Sequence, residues 1–228
     1  MKIKLIALVL FSFTHNYIHS QTLKGIITEK TIKGVGEKTA LSEKSKKPVI
    51  LAYTYSQNKS IQKLLSNQKS SIDTSYIENQ GTKYHTVSTI SKPSALIRYK
   101  DFKSKEFKIV FTQDDKDTNL IEPLPVLNWK IINENKTISG YSCKKATTTN
   151  TAFNTNQAIV AWYTDEVPIN DGPMHYSGLP GFIMQIEISD LTVFTFSNLV
   201  FSKENTPIEA PNNSAPELSF SEYSKQIK

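Results

Sequence analysis

The chain has 228 residues, with 27 lysines and arginines against 21 acidic residues, a formal net charge of +6 at neutral pH. Arg98 is the single arginine, and because arginine is the usual reader of phosphates and base edges, the composition argues against nucleic acid as a partner. A single cysteine, Cys143, excludes an intramolecular disulfide.

Met1 to Ser20 have the layout of an export signal: Lys2 and Lys4, the apolar run Leu5 to Phe11, and Ile18-His19-Ser20 before Gln21 as a cleavage site. The run is too short to span a bilayer, which takes about 20 residues. Removing residues 1–20 leaves 228 − 20 = 208 residues and a charge of 25 − 21 = +4. That length suits one domain on a prior of roughly 150 residues each. The mature chain is expected to be exported to the periplasm, to the outer membrane surface or to the medium, with no integral membrane span.

Leu23 to Glu29 reads as a first strand and Lys30 to Lys47 as a polar loop. Val49 to Tyr55 is rich in strand formers. A turn at Asn58-Lys59-Ser60 leads into Ile61 to Leu65, whose apolar spacing allows a short helix. Ser66 to Gln80 is polar. Tyr84 to Ile90, Ala95 to Tyr99 and Phe107 to Phe111 read as strands. Asp114 to Asp117 is an acidic turn without the glycine and downstream glutamate of a calcium loop.

Leu120 to Leu127, with Pro123 and Pro125, must run extended, and Trp129 to Ile132 is a strand ending in a polar turn at Asn133 to Lys136. Thr137 to Ala146 then reads as one strand, returning across Thr147 to Asn156 as Ala158 to Thr164. An irregular connection from Asp165 to Tyr176 leads to Gly178-Leu179-Pro180-Gly181, where Pro180 and Gly181 predict a type II turn. Phe182 to Ile188 alternates as a half-buried strand, Ser189-Asp190 turns, and Leu191 to Phe196 completes a hairpin that Leu199 to Phe201 extends. The expected domains are a signal peptide at 1–20, one β-rich domain at 21–206, and a proline- and asparagine-rich tail at 207–228.

Several short motifs carry a resemblance. They are Ile138-Ser139-Gly140-Tyr141-Ser142-Cys143-Lys144-Lys145-Ala146, Ala161-Trp162-Tyr163-Thr164-Asp165-Glu166-Val167-Pro168, Gly172-Pro173, and Gly178-Leu179-Pro180-Gly181-Phe182-Ile183. Together they closely resemble the GLPGLI family of exported bacterial proteins, with Phe182 where that family usually has leucine. The resemblance is specific from Trp129 to Ile188. It implies an envelope or secreted protein of a Gram-negative bacterium and carries no catalytic role for the motif residues. With the strand pattern it gives the expected fold: mainly β, an antiparallel, strongly curved sheet or half-barrel of about 8–10 strands with little helix.

Two functional readings of different class follow. In the first, the chain is a non-catalytic domain that binds a small apolar ligand, a peptide or an envelope protein. Tyr163, His175, Tyr176, Leu179 and Met184 are its candidate ligand contacts, and Gly178, Leu179, Pro180, Gly181, Trp162, Gly140 and Cys143 shape the structure. Of these aromatic residues, Trp162 and Phe182 are assigned to the core. In the second, Cys143 and His175, with Met174 and Asp171 nearby in sequence, build a small thiol or metal site. No pair has the close spacing of a zinc motif, G-x-S-x-G is absent, and Pro180 removes an amide that a phosphate loop would need. No cofactor is therefore expected, and no catalytic residue is assigned.

Overall fold

A computed structural model describes residues 22–33, 46–66, 70–79, 81–90 and 92–226. The expected signal peptide and most of the lysine-rich stretch after Lys33 lie outside the described residues.

Among the described residues fourteen strands run from β1 to β14: β1 (Thr22–Thr31), β2 (Val49–Ser56), β3 (Lys59–Leu64), β4 (Ser71–Asn79), β5 (Thr82–Ile90), β6 (Ala95–Asp101), β7 (Glu106–Gln113), β8 (Lys116–Pro123), β9 (Lys130–Ile138), β10 (Tyr141–Asn150), β11 (Gln157–Thr164), β12 (Phe182–Ile188), β13 (Thr192–Ser202) and β14 (Glu217–Leu218). Helix α1 (Phe220–Gln226) follows. Twelve strands form one open sheet in the order β14-β8-β7-β6-β3-β2-β1-β13-β12-β11-β10-β9, and β4 and β5 form a separate hairpin. All neighbours are antiparallel except β14 on β8. The mainly antiparallel, curved fold read from the sequence is the observed one, with more strands than expected.

Four tight hairpins set the register. Gln57-Asn58, Asp114-Asp115, Ser139-Gly140 and Ser189-Asp190 each have positive φ at both central positions, the mark of the type I′ turn whose twist matches its flanking strands. Asn, Asp and Gly tolerate that region best. These turns correct three local expectations. Ile61 to Leu64 is not helical but part of β3, whose alternation buries Ser60 and Gln62, and Leu65 follows the strand. Asn133 to Lys136 is not a turn but lies inside β9, while the stretch read as one strand from Thr137 is broken at Ser139-Gly140. The acidic turn occupies only Asp114-Asp115, so that Lys116 already begins β8.

The sheet is strongly curled. Arg98 on β6 reaches Glu29 on β1 at 3.5 Å, although three strand spacings, about 14 Å, would separate those strands in a flat sheet. The tip of the β10–β11 hairpin bends over further still, stacking Phe153 on Phe107 of β7. Cross-strand register assigns the inner face. One row runs Leu23, Tyr55, Ser60, Lys100, Phe107, Glu122, and the next runs Gly25, Tyr53, Gln62, Arg98, Ile109, Leu120.

The C-terminal segment docks instead of hanging free. Ile208 is buried, Asn119 donates to Asn212 at 3.2 Å, and Lys108 pairs with Glu217 at 2.5 Å, all on the outer face. After β14 joins the edge of β8, the chain crosses to the inner face, where Phe220 stacks on Phe153 and Tyr223 meets Phe111 edge-on. Ser219 and Glu222 form a capping box: Glu222 N–H donates to the serine hydroxyl at 3.2 Å, and the serine N–H donates to the glutamate at 2.8 Å.

Candidate functional site

The residues 165–181 between β11 and β12 lie on the inner face and are pinned there by polar side chains. Asp171 is fully buried and forms an ion pair with Lys100, itself buried. Its second oxygen accepts from the Tyr53 hydroxyl at 2.8 Å, and its first also accepts from the Gly172 amide at 2.6 Å. Lys100 donates further to the Gly172 carbonyl at 2.7 Å. Gln62 donates to the same carbonyl at 3.3 Å and accepts from Met174 N–H at 3.0 Å. Burial drives the Tyr53 hydroxyl well above its usual range, with Asp171 adding to the effect. Burial pulls Lys100 down while Asp171 opposes it.

The backbone then makes its corner with tight local bonds. Gly181 N–H donates to Leu179 C=O at 2.8 Å, an i to i+2 bond, so Pro180 centres a γ-turn and not the expected type II turn. Gly181 is nevertheless at φ +144°, and a Cβ there would stand 2.2 Å from the Thr164 carbonyl oxygen. Gly172 is equally confined, its Cβ position lying 2.7 Å from that of Ile183. The glycines are there so that backbone can pass against backbone. Trp129 holds the corner from outside, its indole N–H donating to the Ser177 carbonyl at 2.9 Å.

Tyr163, His175, Tyr176, Leu179 and Met184 are all buried. His175 packs edge-on against Phe107 and Phe153, with ring centroids at 5.6 and 5.0 Å, and lies 4.3 Å from the Tyr176 ring. Burial, reinforced by Lys100 and Arg98, lowers its pKa to about 3. Trp162 stands on the opposite face of the sheet with Lys136 over its ring at 4.1 Å and its N–H donating to Glu187 at 3.2 Å.

Cys143 is buried, its thiol pushed up to about 11 by desolvation. Its neighbours Tyr141, Ile138, Glu166 and Lys136 are not shared with His175, so the structure does not join the pair that the thiol or metal reading required. No group of three metal-ligating residues occurs among the described residues.

Sequence reasoning passed over the polar residues of the inner face. Lys100, Gln62 and Tyr53 are satisfied by the chain that docks on them. Arg98 is not: among the described residues Nη2 has only Glu29 at 3.5 Å, and Nη1 is buried without a partner. His175 Nε2 also lacks a partner, and the Tyr176 hydroxyl, near Asn150, forms no well-aligned hydrogen bond. The available signal was the alternation of Ser60 with Gln62 and of Arg98 with Lys100, polar residues on the face that a strand should bury.

Beyond Arg98 the inner face changes character. Val49, Leu64, Ile109 and Phe111 are only half-buried, and Leu51 and Leu96 lie among them. At the opposite end, a groove of about 330 Å³ opens between Tyr55, Asn58 and Phe102 and the residues Pro168, Ile169 and Asn170.

Residues 150–185 match the model of a family described as a protein of unknown function (Porph_ging), inside the span that carries the sequence motifs. No curated protein matches the chain. Among solved structures, PNGF-II is similar in two crystal forms. The C2 form has a TM-score of 0.52 at 15% identity, covering 91% of this chain and 32% of that one. The P21 form has a TM-score of 0.51 at 16% identity, covering 91% and 33%. The likeness is one of fold, and this chain spans about a third of the length of PNGF-II.

Proposed function

We propose that the chain is an exported envelope protein whose curled sheet binds a small apolar ligand on its inner face without catalysing a reaction. The observation that carries this reading is the half-buried apolar patch of Val49, Leu64, Ile109 and Phe111 on a concave surface. Residues 165–181 plug one end of that surface, and at this end Tyr223 of α1 covers only part of the patch, through Phe111. Concave, mostly apolar surfaces with a few polar groups are the usual setting of small-molecule sites. Arg98 Nη1 and His175 Nε2, buried without a partner among the described residues, support the same reading, since buried polar atoms in a finished core are nearly always paired.

The test uses N-phenyl-1-naphthylamine, a neutral apolar fluorophore. Saturable binding to the mature protein, lost in Leu64→Glu but retained in an outer-face variant such as Thr54→Glu, is the expected result. Fluorescence that rises without saturation, or is indifferent to Leu64→Glu, rejects the site. The Lys2-Lys4 and Leu5 to Phe11 pattern supports export, which N-terminal sequencing tests: a mature protein beginning at Gln21 agrees with it, and an intact Met1 does not.

A further inference from the structure

We propose that Arg98 anchors the carboxylate of an amphipathic carboxylic acid, whose hydrocarbon part lies on the apolar end of the inner face. This rests on the reading that the inner face takes a ligand, and adds what that ligand must carry.

Three observations converge on the residue. Arg98 is the chain's only arginine, placed at a buried position where a planar fork of donors is costly to leave unmatched. Its Nη1 has no partner among the described residues, and its contact with Glu29 is an ion pair at 3.5 Å and not a close two-pronged fork. The guanidinium is instead held from the side by the Phe194 ring, 5.7 Å from its central carbon.

The second observation is the quality of the pairing. Within the inner face Lys100 is held by Asp171 in a close, fully buried contact, whereas Arg98 meets Glu29 only at 3.5 Å, with a side chain that is 23% exposed, so charge is balanced in number while Nη1 keeps a donor without a close acceptor. The third is location. In register Arg98 sits between Gln62, which is engaged by the docked chain, and Ile109, which is not. It therefore stands at the boundary between the plugged end and the apolar end, where an anionic head and an apolar tail are both accommodated. A simple inorganic anion would use the fork but leave the apolar residues beside it without an occupant.

The experiment measures displacement of N-phenyl-1-naphthylamine by octanoate, by 1-octanol and by inorganic phosphate, on the mature protein and on Arg98→Met and Arg98→Lys. Octanoate should displace the probe at least about tenfold more tightly than 1-octanol, the margin of a charge-assisted pair. Arg98→Met should remove that margin while leaving 1-octanol within about twofold, and Arg98→Lys should keep part of it. Equal displacement by octanoate and 1-octanol on the unaltered protein overturns the proposal, and that comparison needs no variant to fold. Displacement by phosphate as effective as by octanoate overturns it as well, in favour of a simple anion site. If the probe itself does not bind, the ligand-binding reading falls first and this one with it.

Discussion

His175 makes the fold sensitive to acid. Its imidazole is enclosed by Phe107, Phe153 and Tyr176 and faces the cations Lys100 and Arg98, which together with burial lower its pKa from 6.5 to about 3. The folded protein therefore holds the ring neutral, while the unfolded chain takes up a proton below pH 6.5. The stability this provides is complete above that pH and is lost as pH falls toward about 3. At pH 5 the unfolded imidazole is protonated and the folded one is not, a difference of about 1.5 pH units or about 2 kcal/mol. For a domain of this size that corresponds to a fall in Tm of about 4–8 °C. Urea unfolding at pH 7.5 and pH 5.0, on the mature protein and on His175→Phe, isolates the effect because the carboxylates are common to both. The unaltered protein should lose about 2 kcal/mol more than the variant over that interval. Equal losses would show that His175 titrates normally and that its aromatic enclosure is not closed to water.

Three further outcomes follow from the same geometry. Asp171→Ala strands the Lys100 ammonium beneath residues 165–181 and should cost about 3–5 kcal/mol in urea unfolding, most of it recovered in Lys100→Met with Asp171→Leu; a single-variant loss under about 1 kcal/mol would contradict the pinning role. Gly181→Ala puts a Cβ 2.2 Å from the Thr164 carbonyl oxygen at φ +144° and should lose roughly 2–6 kcal/mol. By contrast Gly81→Ala, at φ +78° with nothing nearby, should lose only about 1–2 kcal/mol, and equal costs would mean that the corner relaxes freely. Cys143, with its thiol near 11 and its side chain buried, should resist a disulfide reagent at pH 8 until the chain is unfolded in urea; labelling of the native protein at the unfolded rate would place it at the surface.

The parts of this fold that the sequence disclosed are those governed by local periodicity. Met184 to Ile188 alternates cleanly because β12 buries one face there, after a start at Phe182 and Ile183 that is buried throughout, and Val49 to Tyr55 is β-branched and aromatic because both of its faces are covered at least in part. The turns at Asp114-Asp115 and Ser189-Asp190 were legible, but Ser139-Gly140 was read through as strand and Gln57-Asn58 hides its first position behind a residue with no turn preference. The apolar residues after it fall at helical spacing by coincidence, because β3 buries the polar alternates Ser60 and Gln62. The candidate ligand contacts were harder to place. Tyr163, His175 and Tyr176 look amphipathic in sequence, and only the long-range docking of residues 165–181 onto β3 and β6 shows that they lie inside. Asp171 and Lys100 are 71 residues apart, and no local pattern links them. The role of Arg98 depends on curvature, which a strand's own residues do not announce.

Curvature also explains why so polar a tail is ordered. An open sheet leaves two edges with unpaired backbone groups, which invite further strands. At one edge β9 carries Lys130, Glu134 and Lys136 and shifts register opposite Lys144 and Lys145, charge and irregularity that blunt pairing. At the other edge β8, with Lys116, Asp117 and Pro123 at its ends, is covered over its middle by the two residues of β14, and Glu122 accepts the Phe220 N–H at 2.6 Å as the chain crosses over. The crossing is tied to the interior as well, because Phe220 stacks on Phe153, and Phe153 is one wall of the His175 enclosure. The tail that closes the edge therefore also supports the aromatic wall around His175, linking order at the C-terminus to the state of the inner face.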